Sequence, residues 1–121
     1  MEIMVRIKRI LSDMERFTYL SGYDEELGEI FGVYDNKPEK DSLYICQNGI
    51  FWNVNSERVS IKYRDILSIE FEDPKKSIFI KLEVIDKKIF NLPVRGVRGN
   101  LMDVMEFFRF LKRVIHDFEK Q

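Results

Sequence analysis

Leu43-Tyr44-Ile45-Cys46-Gln47-Asn48-Gly49-Ile50-Phe51-Trp52-Asn53-Val54 is the stretch that decides the fold. From Leu43 onward the apolar pattern has period two. Two short runs, Leu43–Cys46 and Ile50–Val54, flank Gln47-Asn48-Gly49, and Asn-Gly between such runs is the strongest short-range signal for a β-hairpin. Trp52 alternates with Ile50 and Val54 and is expected to face a core.

The same pattern continues toward the C-terminus. Asn55-Ser56-Glu57 turns the chain into Arg58–Tyr63, whose apolar residues share one face, and Ile66–Glu72 alternates through Ile69 and Phe71. Asp73-Pro74-Lys75-Lys76 closes that strand, Ile78–Val84 is the longest strand of the set, and Asp86-Lys87-Lys88 turns into Ile89–Val94. Upstream, Ile30-Phe31-Gly32-Val33-Tyr34 is a further short strand, and Asn36-Lys37-Pro38 is a turn. These make seven strands joined by short turns over 30–95, a meandering antiparallel sheet.

A helix is expected at each end. Ile3, Ile7, Ile10, Met14 and Phe17 recur at alternating four- and three-residue spacings, which predicts an amphipathic helix over 1–20, stopped by Ser21-Gly22. At the other end, Asn100 is an N-cap and Asp103 favours the positive end of a helix over 100–119. Its principal stripe is Leu101, Met105, Phe108, Leu111, Ile115 and Phe118; Phe107, Phe110 and Val114 add a second, adjoining stripe. Something must cover that second stripe. Either the N-terminal helix does so, or a second subunit does, giving a monomer or a weak homodimer through Phe107 and Phe110.

Two local phrases resemble bacterial pleckstrin-homology-like (PH-like) and GRAM-like domains. Residues 43–52 resemble their Gly-Ile-aromatic-Trp hairpin, and Val59-Ser60-Ile61-Lys62-Tyr63-Arg64-Asp65-Ile66, followed by Ile69, is similar to their Ile-x-Tyr-x-Asp-Ile-x-x-Ile strand pair. The resemblance covers roughly Ile30 to Phe118. It implies an α+β fold: a seven-stranded antiparallel split barrel capped by a C-terminal helix, here with an added N-terminal helix. In that reading Gly49 permits the tight turn, and Tyr63 with Ile66 wraps apolar mass around a corner. Phosphoinositide-binding members cluster Lys and Arg in their first inter-strand loop. Here that loop is Asp35-Asn36-Lys37-Pro38-Glu39-Lys40-Asp41, so the resemblance does not carry that specificity with it.

Composition bounds the function. The 121 residues suit a single domain over 1–121, with ten Phe, five Tyr and one Trp to anchor its core. Twenty basic and twenty-one acidic side chains leave a formal net charge of −1, with no overall bias toward nucleic acid. Charge breaks every apolar run, so stable membrane insertion is not expected. Glu2, Arg6, Lys8 and Arg9 interrupt any secretory signal, and one cysteine permits no internal disulfide, so a cytoplasmic location is expected.

The chain carries no recognisable catalytic, metal or cofactor constellation, so neither catalysis nor a cofactor is expected. His116 reads as a surface residue late on the last helix, and Cys46 as a buried strand residue. Arg95-Gly96-Val97-Arg98-Gly99-Asn100 reads as a flexible connection, with an anion site as the alternative. Lys75, Lys76, Lys87 and Lys88 read as solubilising turn lysines, with a basic rim as the alternative.

Charge is nevertheless split along the chain. Residues 24–73 carry twelve acidic and five basic side chains, and residues 74–121 eleven basic and six acidic. Asp24, Glu25, Glu26, Glu29, Asp35, Glu39 and Asp41 form an acidic segment opposed only by Lys37 and Lys40. A uniformly solvated loop is one reading of it. As a site it suits a basic protein partner through steering and complementarity. Two functional classes follow: a non-enzymatic protein–protein interaction module of PH-like fold, or an immunity protein that neutralises a basic bacterial nuclease toxin through an acidic surface.

Overall fold

The computed structural model describes residues 2–72, 79–96 and 101–120. The chain opens with α1 (Glu2–Arg6), continued by a wider π-type turn, Ile7–Leu11, in which the Ser12 N–H donates to the Ile7 carbonyl at 3.0 Å. Eight strands follow: β1 (Phe17–Asp24), β2 (Gly28–Tyr34), β3 (Leu43–Cys46), β4 (Gly49–Val54), β5 (Glu57–Lys62), β6 (Ile66–Glu72), β7 (Phe79–Val84) and β8 (Lys88–Leu92). The 19-residue α2 (Leu101–Glu119) ends the described chain.

All pairings are antiparallel between sequence neighbours. β1 to β5 form one five-stranded sheet and β6 to β8 a three-stranded one. The α+β class and the antiparallel run from Leu43 into β8 therefore stand. The seven strands expected over 30–95 are present as β2 to β8. One detail of the expected architecture does not stand: among the described residues an eighth strand, β1, precedes them, and the two sheets stay separate without closing into a barrel.

The added strand replaces the second half of the expected N-terminal helix. Ile3, Ile7 and Ile10 are buried on helical turns as their spacing predicts, but the helix stops at Leu11. Met14 and Phe17 are also buried, on a turn and at the start of β1. Their spacing continued the helical rhythm by coincidence. The run Phe17-Thr18-Tyr19-Leu20-Ser21 is rich in aromatic and β-branched side chains that suit a pleated surface.

One core joins the sheets and helices. Trp52 is 2% exposed and meets Phe90 of β8 edge-to-face at 6.3 Å, linking the two sheets. On α2 the second stripe is the more deeply buried, while Phe108, Ile115 and Phe118 of the principal stripe are half-buried against the core. Val104, Phe107, Phe110, Leu111 and Val114 face inward, Phe107 lying edge-on to Tyr34 at 5.1 Å, whereas Leu101, Met102 and Met105 are exposed. Phe107 and Phe110 are fully buried by the chain's own residues. α1 and its π-turn pack on α2, and Arg6 holds the Asp117 carboxylate through Nε and Nη2 at 3.0 Å each. That hydrogen-bonded guanidinium holds the Asp117 carboxyl below its usual pKa.

Turn chemistry departs from the simplest reading. The positive backbone φ angles that a type I′ hairpin needs occur at Asn55 (51°) and Ser56 (69°), between β4 and β5, and not at Asn48. Gly49 is required for a different reason than turning. A Cβ there would lie 2.2 Å from the Ile61 carbonyl oxygen and 2.9 Å from Leu27 Cδ2, so its bare backbone is what lets β5 and the β1–β2 turn close in together.

Candidate functional site

The seven predicted carboxylates fall into two groups at opposite ends of β2. Asp24, Glu25, Glu26 and Glu29 surround the β1–β2 turn, and Asp35, Glu39 and Asp41 lie on the connection from β2 to β3. A seven-residue strand separates them by roughly 20 Å. They do not form one acidic face, and the segment is not the continuous solvated loop that its composition suggests.

The β1–β2 turn is tightly built. Asp24 Oδ2 accepts the backbone N–H groups of Glu26 (3.1 Å) and Leu27 (2.9 Å), and Gly28 takes a φ of 85° that other residues rarely adopt. Leu27 is fully buried against the Gly49 region. The Asn48 N–H donates to the Leu27 carbonyl and the Gln47 N–H to the Glu29 carbonyl, locking the turn onto the β3–β4 connection. Arg58 of β5 grips Asp24 in a bidentate pair at 2.8 and 2.9 Å, while its guanidinium lies 4.0 Å from the Phe51 ring centroid. Glu26 accepts from the Ser60 hydroxyl at 2.8 Å and lies 3.4 Å from Arg58 Nη2. Among the described residues, the carboxylates of Glu25 and Glu29 have no such partner. Both are exposed.

The hydrogen bond from Arg58, assisted by the Leu27 and Glu26 amides and the guanidinium charge, holds the Asp24 carboxyl down at about 2, against 3.8 ordinarily. A depressed carboxylate stabilises the fold above the unfolded-state pKa, and that contribution disappears as pH falls through the folded-state value. Acid should therefore release this clasp between about pH 3.8 and 2. Arg58→Ala should return the Asp24 midpoint toward 3.8, followed by NMR titration of its carboxyl carbon. An unmoved midpoint would transfer the effect to the turn amides.

At the other end of β2, Asp35 Oδ1 caps the Lys37 amide at 2.9 Å, and Asp41 pairs with Arg95 just after β8. Asn36 is the one buried polar residue of the described set. Its side-chain amide donates to the carbonyls of Asp41 and Pro93. Tyr34 Oη donates to Asp103 on the first turn of α2 and accepts the Gly96 N–H at 2.9 Å. These contacts are internal and fasten the β2–β3 connection to the start of α2. Glu39 stays exposed, beside an open groove of about 810 Å³ between residues 38–41 and the tip of the β4–β5 hairpin.

Other candidates separate cleanly. Cys46 is fully buried, and burial pushes its thiol up to about 12, away from any reactive thiolate. His116 is exposed on α2, beside a groove of about 600 Å³ between α2 and β6. Among the described residues, no three His, Cys, Asp or Glu side chains converge as a metal site, and no helix is long and apolar enough to cross a membrane. Lys87 and Lys88 are exposed at the β7–β8 turn. Lys75, Lys76, and the Val97–Asn100 part of the proposed anion loop lie outside the described residues.

The acidic segment alone did not point to the neighbouring β1 surface. Tyr19 (49%), Leu20 (40%) and Tyr23 (73%) are exposed beside the turn, and every residue from Thr18 to Tyr23 is exposed although the strand has two faces. The available signal was a seven-residue run without charge, Phe17–Tyr23, directly before Asp24.

No protein-family model matches the chain, and no curated protein matches it.

Proposed function

We propose that this chain is a non-catalytic protein-binding domain of PH-like build that meets its partner through the β1–β2 hairpin. The observation that carries this is exposed Tyr23 of β1 standing directly opposite exposed Glu29 of β2, with exposed Glu25 in the turn between them, neither carboxylate having a side-chain partner among the described residues. Tyrosines flanked by free charge are typical of contact surfaces, because the rings supply area at low entropic cost and the charges steer association. In support of the build, antiparallel strands are followed by one amphipathic C-terminal helix, with a strand and a short helix added in front.

An inhibitor of a basic nuclease toxin calls for a broad acidic face. Here Asp24, Glu26, Asp35 and Asp41 are already engaged within the domain, and the seven carboxylates are divided between two ends. The adaptor reading therefore leads, with a partner that is basic at the point of contact.

The test uses Glu25→Lys combined with Glu29→Lys, leaving the structural Asp24 and Glu26 intact. Against a partner purified with the full chain, association should slow at least tenfold at low salt, and its dependence on ionic strength should flatten. Stability should stay within about 0.5 kcal/mol of wild type. An unchanged rate and slope would remove the acidic turn from the contact.

A further inference from the structure

Among the described residues the two sheets have four edge strands: β1 and β5 on one, β6 and β8 on the other. Edge strands carry backbone N–H and C=O groups that no neighbour pairs, and folded proteins usually blunt them with charge or proline. β5 carries Glu57, Arg58 and Lys62, β6 carries Glu70, and β8 carries Lys88. β1 has no charge and no proline from Phe17 through Tyr23. It pairs with β2 along one side, and its residues from Thr18 to Tyr23 are exposed.

A bulge interrupts its pairing between Tyr19 and Gly22, where Leu20 and Ser21 stand opposite Phe31 alone. The added twist suits a single short incoming strand better than a long flat one, which discourages indefinite stacking.

Charge at the ends of this edge selects the occupant. Exposed Asp13 and Glu15 precede it, and exposed Glu25 and Glu26 follow it. Arg16 lies between but is turned away: its Nη1 donates to the carbonyls of Asp35 (2.8 Å) and Lys37 (3.2 Å). A second copy of the chain, paired antiparallel about Leu20, would set Phe17 against Tyr23 but Glu15 against Glu25. Like charges directly opposite destabilise a pairing.

Resting on the protein-binding reading above, we propose that the free edge of β1 accepts an extended segment of a different protein as an added antiparallel strand, apolar at its centre and basic at both ends. The main-chain hydrogen bonds would supply affinity. The acidic ends and the exposed Tyr19, Leu20 and Tyr23 side chains would supply selectivity.

The test uses the full wild-type chain and three synthetic peptides of about ten residues, the span of an ordinary edge strand. One alternates Thr and Val between lysine-rich ends. The second has glutamates in place of the lysines. The third is the lysine peptide with alternate backbone nitrogens methylated, which keeps the charge and removes strand hydrogen bonding. Amide exchange and chemical shifts of Thr18–Tyr23 are followed by NMR. The lysine peptide should protect those amides, and the other two should bind at least tenfold more weakly.

Equal binding of the methylated peptide overturns strand addition while leaving a charge-based contact at Glu25 and Glu29 standing, provided the double reversal still weakens it. Equal binding of the glutamate peptide overturns the basic partner in both readings. Absence of protection with every peptide overturns the strand proposal alone. Protection that grows with protein concentration in the absence of peptide identifies a second copy as the occupant, and also overturns it.

Discussion

Trp52→Ala lowers the free energy of unfolding by about 3–5 kcal/mol, the range for truncating a large buried aromatic side chain. Trp52 sits on β4 opposite Val59 of β5, is 2% exposed, and meets the Phe90 ring of the second sheet. Its loss opens a cavity where the five- and three-stranded sheets meet. Backbone hydrogen bonds within each sheet cannot close that space. Urea unfolding monitored by circular dichroism measures the change, since the variant lacks the chain's one tryptophan. Curves that overlay those of wild type would mean that the indole contributes little to the junction.

Phe107→Ala should cost a comparable amount, about 3–5 kcal/mol, and should leave the oligomeric state as it is in wild type. The ring is fully buried, edge-on to Tyr34 on one side and to Phe110 at 6.3 Å on the other. Through Tyr34 it also adjoins the hydrogen bonds that tie β2 to Asp103 and Gly96. Paired denaturation and sedimentation measurements separate the possibilities. A variant as stable as wild type that dissociates from a dimer would show that Phe107 serves an interface rather than the core.

The second prediction bears on what a helix sequence can reveal. α2 carries apolar residues around more than half of its circumference, so periodicity defined the helix clearly without saying which stripe faces inward. The sheets and α1 made that choice, burying Phe107, Phe110 and Val114 and leaving Leu101 and Met105 in solvent. An amphipathic pattern fixes a face only when a single stripe is apolar.

Similar reasoning applies to the acidic segment. Its composition stands out in the sequence, but a carboxylate's environment depends on strand register. Arg58 is thirty-four residues from Asp24 and reaches it because β5 and the β1–β2 turn both close over Gly49. Nothing local to Asp24 signals that pairing. Arg95 and Asp41 likewise meet only because β8 returns beside the β2–β3 connection.

By itself, the sequence determined the antiparallel run from Leu43 into β8, the C-terminal helix, the buried positions of Trp52 and Cys46, and the exposure of His116. Each follows from short-range periodicity, turn residues or the burial preference of one side chain. Only the tertiary structure decided that Phe17–Asp24 is an edge strand, that the sheets divide five and three, and that Gly49 serves close approach. It also decided that the acidic residues separate into two groups, most of them engaged. A pattern read along the chain records which face of an element is apolar; the neighbour that covers that face or pairs with its edge comes from remote sequence, where local spacing carries no information.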